Sequence, residues 1–132
     1  MKVKVINKSG NPLPEYKTSG SAGMDILASK GYIIRAHHTL AVDTGLFVEI
    51  SQGYEGQVRS RSGLSLQGLI VNNAPGTIDS DYRGEVKVIL HNQTELPISV
   101  KPGDRIAQLV FSRVEQAEWT IEEELSDTKR GA

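Results

Sequence analysis

Short apolar segments with an alternating pattern recur along this chain, and turn-forming residues separate them. Val3 and Val5 alternate with lysines near the start, and residues 85–90 alternate in their first half. The other apolar segments are equally short and rich in β-branched residues: 33–34, 40–42, 45–50, 55–60, 69–71, 98–100 and 105–111. Because side chains alternate between the two faces of a strand, and turn signals recur about every 8–12 residues, this pattern predicts an all-β sandwich or barrel.

Helical character is limited to two segments. Ser65-Leu66-Gln67 follows a serine and a glycine and predicts one or two turns, whereas the acidic residues 116–125 fit either a helix or a terminal strand. Residues 126–132 lack apolar anchors, which predicts a flexible tail. We therefore expect one β domain over residues 1–125 with at most one short helix, followed by that tail.

The composition excludes several classes of function. A length of 132 residues fits one domain, and the absence of cysteine excludes thiol catalysis, disulfides and Cys-ligated zinc and fits a reducing compartment. The net charge of −1 gives no broad basic face for nucleic acid. No apolar run has the length of a membrane span, and the first residues alternate like a strand rather than a signal peptide. We expect a soluble, cytoplasmic protein without a nucleic-acid or membrane partner.

The densest group of polar residues occupies positions 72–85, between two apolar segments, and therefore predicts a hairpin. Asn, Asp and Gly are common in plain turns for conformational reasons. Alternatively, its carboxylates, amide and tyrosine grip a small ligand, with one carboxylate acting as a base. The residue pattern alone leaves both interpretations open.

Arg61-Ser62-Gly63 precedes the predicted helical turn. Free backbone N–H groups at a helix start, beside an arginine and a hydroxyl, form a small anion site. The alternative is an ordinary N-cap serine with an arginine that faces solvent.

Two polar residues lie inside apolar segments. Gln108 shares a strand face with Ile106, so its amide is either satisfied in the core or contacts a ligand. Asp25 lies within the apolar residues 22–27, and a buried acid is uncommon unless it is paired or functional.

The remaining candidates for chemistry are weaker. His37 and His38 are adjacent and are expected to point to opposite faces of a strand, so with His91 they do not predict a metal site. Trp119 predicts core or interface packing rather than a cofactor platform.

In their order along the chain, four segments resemble motifs of the trimeric dUTPase family. They are Ala22-Gly23-Met24-Asp25-Ile26, Arg61-Ser62-Gly63-Leu64, Gly76-Thr77-Ile78-Asp79-Ser80-Asp81-Tyr82-Arg83-Gly84 and Gly103-Asp104-Arg105-Ile106-Ala107-Gln108-Leu109. The third is the most specific, and together they span residues 22–109. The resemblance implies a jelly-roll-like β fold and a homotrimer with three shared active sites. It also implies hydrolysis of dUTP to dUMP and pyrophosphate, with Mg²⁺ on the triphosphate and water attacking the α-phosphorus; this reaction keeps uracil out of DNA and supplies dUMP for thymidylate synthesis.

The resemblance also implies a role for each matching residue. Asp79 is the base for the water, and Tyr82 packs against the deoxyribose and excludes a 2′-hydroxyl. Asn73 and hairpin backbone groups, including that of Gly76, read the uracil edge. The phosphates contact Arg61, Ser62, Gly63 and Gln108, while Asp25 reaches the metal through water.

Two features depart from the family pattern. The family's fifth motif is an arginine followed by a glycine-rich run with a phenylalanine, and it closes over the nucleotide. Arg130-Gly131 resembles its start, which implies a γ-phosphate contact for Arg130, but the glycine-rich run is missing. We therefore expect dUTP binding with poor turnover. Ile26 replaces the usual leucine, which we expect to matter little.

Three alternatives are compatible with parts of the sequence. A dCTP deaminase-like enzyme shares the implied fold, and release of ammonia from dCTP would identify it. A dUTP-gated regulatory binding module fits a missing lid, although such a module has no need for Asp79 as a base. A capsid-like jelly roll leaves the four motifs unexplained.

Overall fold

Ten β-strands and one short α-helix make up the regular structure of residues 1–131, the part of the chain that the computed structural model describes. In chain order the elements are β1 (Lys4–Asn7), β2 (Gly23–Leu27), β3 (Tyr32–Ile34), β4 (Thr39–Glu49), β5 (Tyr54–Arg59), α1 (Ser62–Leu66), β6 (Leu69–Val71), β7 (Gly76–Ile78), β8 (Glu85–Asn92), β9 (Ile98–Val100) and β10 (Arg105–Arg113). The prediction of an all-β fold with at most one short helix is confirmed. Within these residues, no helix is long and apolar enough to cross a membrane.

The strands form two four-stranded sheets and a small third sheet. One large sheet has the order β1-β4-β8-β6, the other has the order β2-β10-β5-β7, and β3 pairs with β9. All the strand pairs are antiparallel. Most neighbours in the sheets are distant in sequence, as expected when strands alternate between two packed sheets of a jelly-roll-like sandwich.

One hydrophobic core joins the two large sheets. Val42, Val88 and Leu90 of the first sheet and Ile26 of the second are fully buried in the same cluster. In β8, alternate residues are buried, as the sequence pattern predicts for a strand with one face toward the core. This core fixes both sheets, and therefore fixes the strand ends that carry the polar residues.

The segments predicted at 40–42 and 45–50 form one strand, β4, rather than two. Gly45 interrupts its register with β8 and has a positive φ of 70°. A Cβ on Gly45 would lie 2.6 Å from the backbone nitrogen of Ser9, so only glycine fits this approach. The Gly45 N–H donates to Glu85 Oε1 at 2.9 Å, and this bond holds the irregular point in place.

Two strands were not predicted, and one predicted element is absent. Residues 22–27 contain β2, and the predicted hairpin at 72–85 contains β7. β7 pairs with β5, whereas its neighbours in sequence, β6 and β8, pair with each other in the other large sheet. Residues 116–125 form neither a helix nor a strand and are exposed. This segment contains three consecutive glutamates, 122–124, and nothing within residues 1–131 covers the apolar side chains of Trp119, Ile121 and Leu125 beside them.

Candidate functional site

Asp25 and Arg61 form a half-buried ion pair at one end of the β2-β10-β5-β7 sheet. Arg61 Nε donates to Asp25 Oδ1 at 2.8 Å, and the two side chains are 28% and 23% exposed. Arg105 Nε lies 3.9 Å from the other carboxylate oxygen. The apolar segment around Asp25 therefore carries a paired acid, as its position predicts.

Gln108 lies beside this pair. In β10 it is opposite Asp25 of β2 on one side and Arg59 of β5 on the other. Its side-chain amide donates to the carbonyl oxygen of Ser60 at 3.0 Å and is partly buried. The sheet thus brings together Asp25, Arg59 and Gln108, which are distant in sequence. The side-chain oxygen of Gln108 keeps its capacity to accept a hydrogen bond.

The helix α1 begins next to the ion pair. Its N-cap residue is Arg61, with extended backbone angles and no side-chain capping bond. The alternative of an N-cap serine is therefore wrong, because Ser62 is already the first helical residue. Ser62 and Gly63 are both exposed. The first N–H groups of a helix have no partner inside the helix, so an anion can bind them.

The connection between β6 and β8 carries the second group of predicted residues. Gly76 is buried at the start of β7, and a Cβ there would lie 3.2 Å from the Asn73 amide nitrogen, so these two residues are neighbours. After β7 the chain turns, and the Tyr82 N–H donates to the Asp79 carbonyl at 3.1 Å. This turn presents Asp79 and Tyr82 on the same exposed loop.

Asp79 lines an open cavity of about 1200 Å³, together with residues of β1, β5 and the 80–83 turn. Within residues 1–131, no hydrogen-bond donor contacts its carboxylate. Tyr82 is 44% exposed, and its hydroxyl donates to the Glu85 carbonyl at 2.9 Å. An unpaired carboxylate on the same loop as a hydrogen-bonded tyrosine has the features of a base near a binding surface.

Asp79 and the Asp25–Arg61 pair lie at opposite ends of the same sheet, and Gly76, which is opposite Val58, lies midway between them. Ile78 is opposite Gly56, so Asp79 is level with Glu55, whereas Arg61 follows the other end of β5. Arg61 is six residue steps along the chain from Glu55, which is roughly 20 Å when the chain is extended. Asp79 of one chain therefore does not reach the Asp25–Arg61 pair of the same chain.

Arg130 joins neither group. It is exposed in the irregular segment that follows β10, and no hydrogen bond or ion pair links it to another predicted site residue in the described part of the chain. The tail prediction for residues 126–132 extends to Ala132, which lies outside the described residues.

Three residues make contacts near the predicted site residues that the sequence did not predict. Arg105 faces the free oxygen of Asp25, Ser60 accepts from Gln108, and Arg83 donates to the carbonyl oxygens of Ser80 and Tyr82 at 2.7 and 3.1 Å. Arg105 and Arg83 lie within the motifs quoted from the sequence, so the sequence could have indicated both residues. Their hydrogen-bond and ion-pair partners depend on the fold.

The described residues contain no group of three or more His, Asp or Glu side chains that could hold a metal ion. His37 and His38 lie in the turn between β3 and β4 rather than on a strand, and His37 has a φ of 59°. Asp25 is therefore a single carboxylate next to the predicted phosphate residues. One carboxylate suits a Mg²⁺ ion whose other ligands come from substrate phosphates and water.

Comparisons with known proteins agree with the four motifs. The family model described as dUTPase matches residues 10–132. The deoxyuridine 5′-triphosphate nucleotidohydrolase of Cytophaga hutchinsonii is 46% identical over 98% of this chain and 86% of its own length. That of Fusobacterium nucleatum is also 46% identical, over 99% of this chain and 92% of its own length.

Solved structures show the same fold. The dUTPase of Staphylococcus bacteriophage 80alpha with dUPNHPP has a TM-score of 0.91 and 25% identity, covering 98% of this chain and 94% of that chain. A dUTPase of phage phi11 of S. aureus has a TM-score of 0.87 and 23% identity, covering 96% of this chain and all of that chain. These likenesses confirm the jelly-roll-like expectation.

Proposed function

The chain belongs to the dUTPase family and is a dUTP diphosphatase. We propose that the reaction proceeds by attack of water on the α-phosphorus of dUTP and yields dUMP and pyrophosphate. A bond forms between the water oxygen and phosphorus, the bond to the bridging oxygen breaks, and pyrophosphate leaves. The reaction removes dUTP and so keeps uracil out of DNA, and it supplies dUMP for thymidylate synthesis. A cytoplasmic location is part of the proposal, because nucleoside triphosphates are intracellular.

The exposed Asp79 carboxylate carries this proposal. Its oxygens face an open cavity and accept no hydrogen bond within residues 1–131, so one of them is free to orient a water molecule and take its proton. A carboxylate placed only to stabilise a turn usually accepts a bond from the turn's backbone. Asp79 is therefore better explained as a catalytic residue than as part of a plain turn.

Tyr82 and the residues near the base of the loop supply specificity in this proposal. The Tyr82 ring packs against the deoxyribose and leaves no space for the 2′-hydroxyl of UTP. Asn73 and the backbone at Gly76 read the uracil edge, and cytosine is rejected because its mismatched edge leaves these groups unsatisfied. The contact between Asn73 and Gly76 supports a shared role.

The Asp25–Arg61–Gln108 cluster binds the triphosphate in this proposal. Arg61 supplies positive charge, Gln108 supplies an amide, and Ser62 and Gly63 supply exposed groups at the start of α1. Arg130 contacts the γ-phosphate when the segment that carries it lies over the nucleotide. Asp25 would hold Mg²⁺ through water, and the bound ion would neutralise charge on the phosphate oxygens.

The separation of Asp79 from the Asp25–Arg61 pair supports the proposal of a homotrimer with shared sites. If Asp79 and Tyr82 of one copy face the Asp25–Arg61 cluster of another, the roughly 20 Å gap within one chain no longer matters. Trp119, Ile121 and Leu125 are at least 90% exposed in a single copy. Exposed apolar side chains on an extended segment favour packing against a further copy.

Pyrophosphate release in a single turnover tests the proposal. Excess protein is mixed with dUTP and Mg²⁺, and separately with UTP and Mg²⁺. We expect pyrophosphate from dUTP and none, or far less, from UTP. Release from neither, at protein concentrations that bind dUTP, would contradict the proposed hydrolysis.

A further inference from the structure

Gly84 lies directly against the ring of Tyr82. A Cβ built on Gly84 would overlap the Tyr82 hydroxyl oxygen and would lie 2.6 Å from Cζ and 3.0 Å from Cε1. Its φ lies outside the left-handed region, so alanine meets no backbone strain at this position. Glycine is needed here for space alone, because any side chain would push the ring away.

A hydrogen bond also fixes this hydroxyl end of the Tyr82 side chain. Its hydroxyl donates to the Glu85 carbonyl at 2.9 Å, and Glu85 begins β8. The Glu85 carboxylate in turn accepts from the Gly45 N–H at 2.9 Å, which ties this residue to β4. A tyrosine that is 44% exposed is thus held at its tip by the sheet rather than by surrounding side chains.

We propose that Gly84 and the Glu85 carbonyl determine the sugar specificity of the enzyme by fixing the position of the Tyr82 ring. This inference rests on the proposed function, in which the ring packs against the deoxyribose. The Tyr82 ring can exclude a 2′-hydroxyl only while it keeps its position. Without restraints, a half-exposed side chain can rotate into solvent at little cost. Gly84 leaves room for the Tyr82 ring to lie close to the backbone, and the hydrogen bond to the Glu85 carbonyl holds the ring there.

Gly23 provides a matched comparison in the other half of the site. A Cβ on Gly23 would lie 2.5 Å from Oε1 of Gln108, so this glycine clears space for a predicted phosphate contact. The same substitution at Gly23 therefore disturbs a group that dUTP and UTP use equally. At Gly10 nothing lies within 4 Å of the added carbon, so Gly10→Ala controls for the substitution itself.

The test compares kcat/KM for dUTP with kcat/KM for UTP. We expect Gly84→Ala to lower the dUTP/UTP ratio at least about tenfold, because the displaced ring admits the 2′-hydroxyl. Tyr82→Phe, which adds no atom and loses only the bond to Glu85, should lower the ratio about 2- to 10-fold. Gly23→Ala should reduce both values while the ratio stays within about twofold. Gly10→Ala should match the parent protein.

Binding in an Asp79→Asn background separates this inference from the proposed reaction. There the ratio of the Kd values for dUTP and UTP reports sugar selectivity without hydrolysis. If the parent releases no pyrophosphate, the proposed function is wrong, and the Kd ratios still decide the role of Gly84. If Gly84→Ala fails to fold, Tyr82→Phe decides. Unchanged dUTP/UTP ratios in folded Gly84→Ala or in Tyr82→Phe would overturn the inference.

Discussion

The two halves of the site differ in how their side chains are held. In the phosphate half, Arg61 bonds to Asp25 at 2.8 Å and Gln108 bonds to the Ser60 carbonyl at 3.0 Å, and all of these groups are partly buried. In the loop half, Asp79 is exposed and its carboxylate has no donor within residues 1–131. The proposed phosphate half is organised within one chain before any ligand arrives, whereas the loop half presents the Asp79 carboxylate outward, and in our proposal another copy of the chain completes it.

Asp79→Asn should have the largest effect on activity and should affect the loop half of the site alone. The amide keeps the size of the side chain but cannot take a proton, so we expect hydrolysis of dUTP to fall by about 10²- to 10⁴-fold. Because Asp79 bonds to no other described residue, the free energy of unfolding should stay close to that of the parent. Single-turnover pyrophosphate release and urea unfolding measure the two effects. A variant as fast as the parent would remove Asp79 from the catalytic role.

Asp25→Asn should have a smaller effect on activity but should also affect the fold. It removes a charge-assisted hydrogen bond and leaves the Arg61 guanidinium without its carboxylate, which costs about 1.5–3 kcal/mol. We expect lower stability and dUTP binding that is weaker by about tenfold or more, measured by urea unfolding and titration with dUTP. The matched control is Glu15→Gln, since its pair with Lys17 has a similar length, 2.9 Å, but its side chains are mostly exposed. Equal losses of stability in Asp25→Asn and Glu15→Gln would show that burial of the Asp25 pair does not affect stability.

Asp43→Asn should have the smallest effect and should leave both halves of the site intact. Hydrogen bonds from Lys30 and then Lys87 hold the pKa of Asp43 below its ordinary value of 3.8, although desolvation opposes them. A lowered pKa in the folded state stabilises the protein above about pH 4, and this contribution is lost as the pH falls through the folded pKa. Solvent screens the exposed lysines, so we expect a loss of less than about 1 kcal/mol at pH 7.

The difference between parent and Asp43→Asn should therefore shrink as the pH falls from 5 to 3, and dUTP hydrolysis at pH 7 should be unchanged. Thermal unfolding across this pH range measures the effect. A difference that grows toward low pH would contradict the assigned direction of the pKa shift.

The sequence predicts the strands well where alternation is strong and poorly where polar residues interrupt it. β8 alternates clearly, and its prediction is confirmed. β7 has the sequence Gly-Thr-Ile, and it pairs with β5, which is separated from it in sequence by α1 and β6, so no local pattern indicates it. β4 appeared as two strands because a glycine at a bulge resembles a glycine in a turn.

The site residues could be selected from the sequence, but their arrangement could not. Asp25 and Gln108 are 83 positions apart, and only the pairing of β2 with β10 makes them neighbours. The loop between β6 and β8 has the composition of a turn, and its unpaired carboxylate becomes visible only in three dimensions. Long-range strand pairing depends on the whole core. Local sequence patterns therefore identify the residues of the site but not the distances between them.

Mixing two inactive variants tests most directly whether two copies share each site. Asp79→Asn and Arg61→Ala are each expected to hydrolyse dUTP poorly, and the two proteins are unfolded together in equal amounts and refolded. If Asp79 of one copy acts with Arg61 of another, about one quarter of the sites in randomly mixed trimers regain both residues, so about a quarter of the parent activity should return. If the mixture is no more active than the two variants measured separately, the shared site is contradicted.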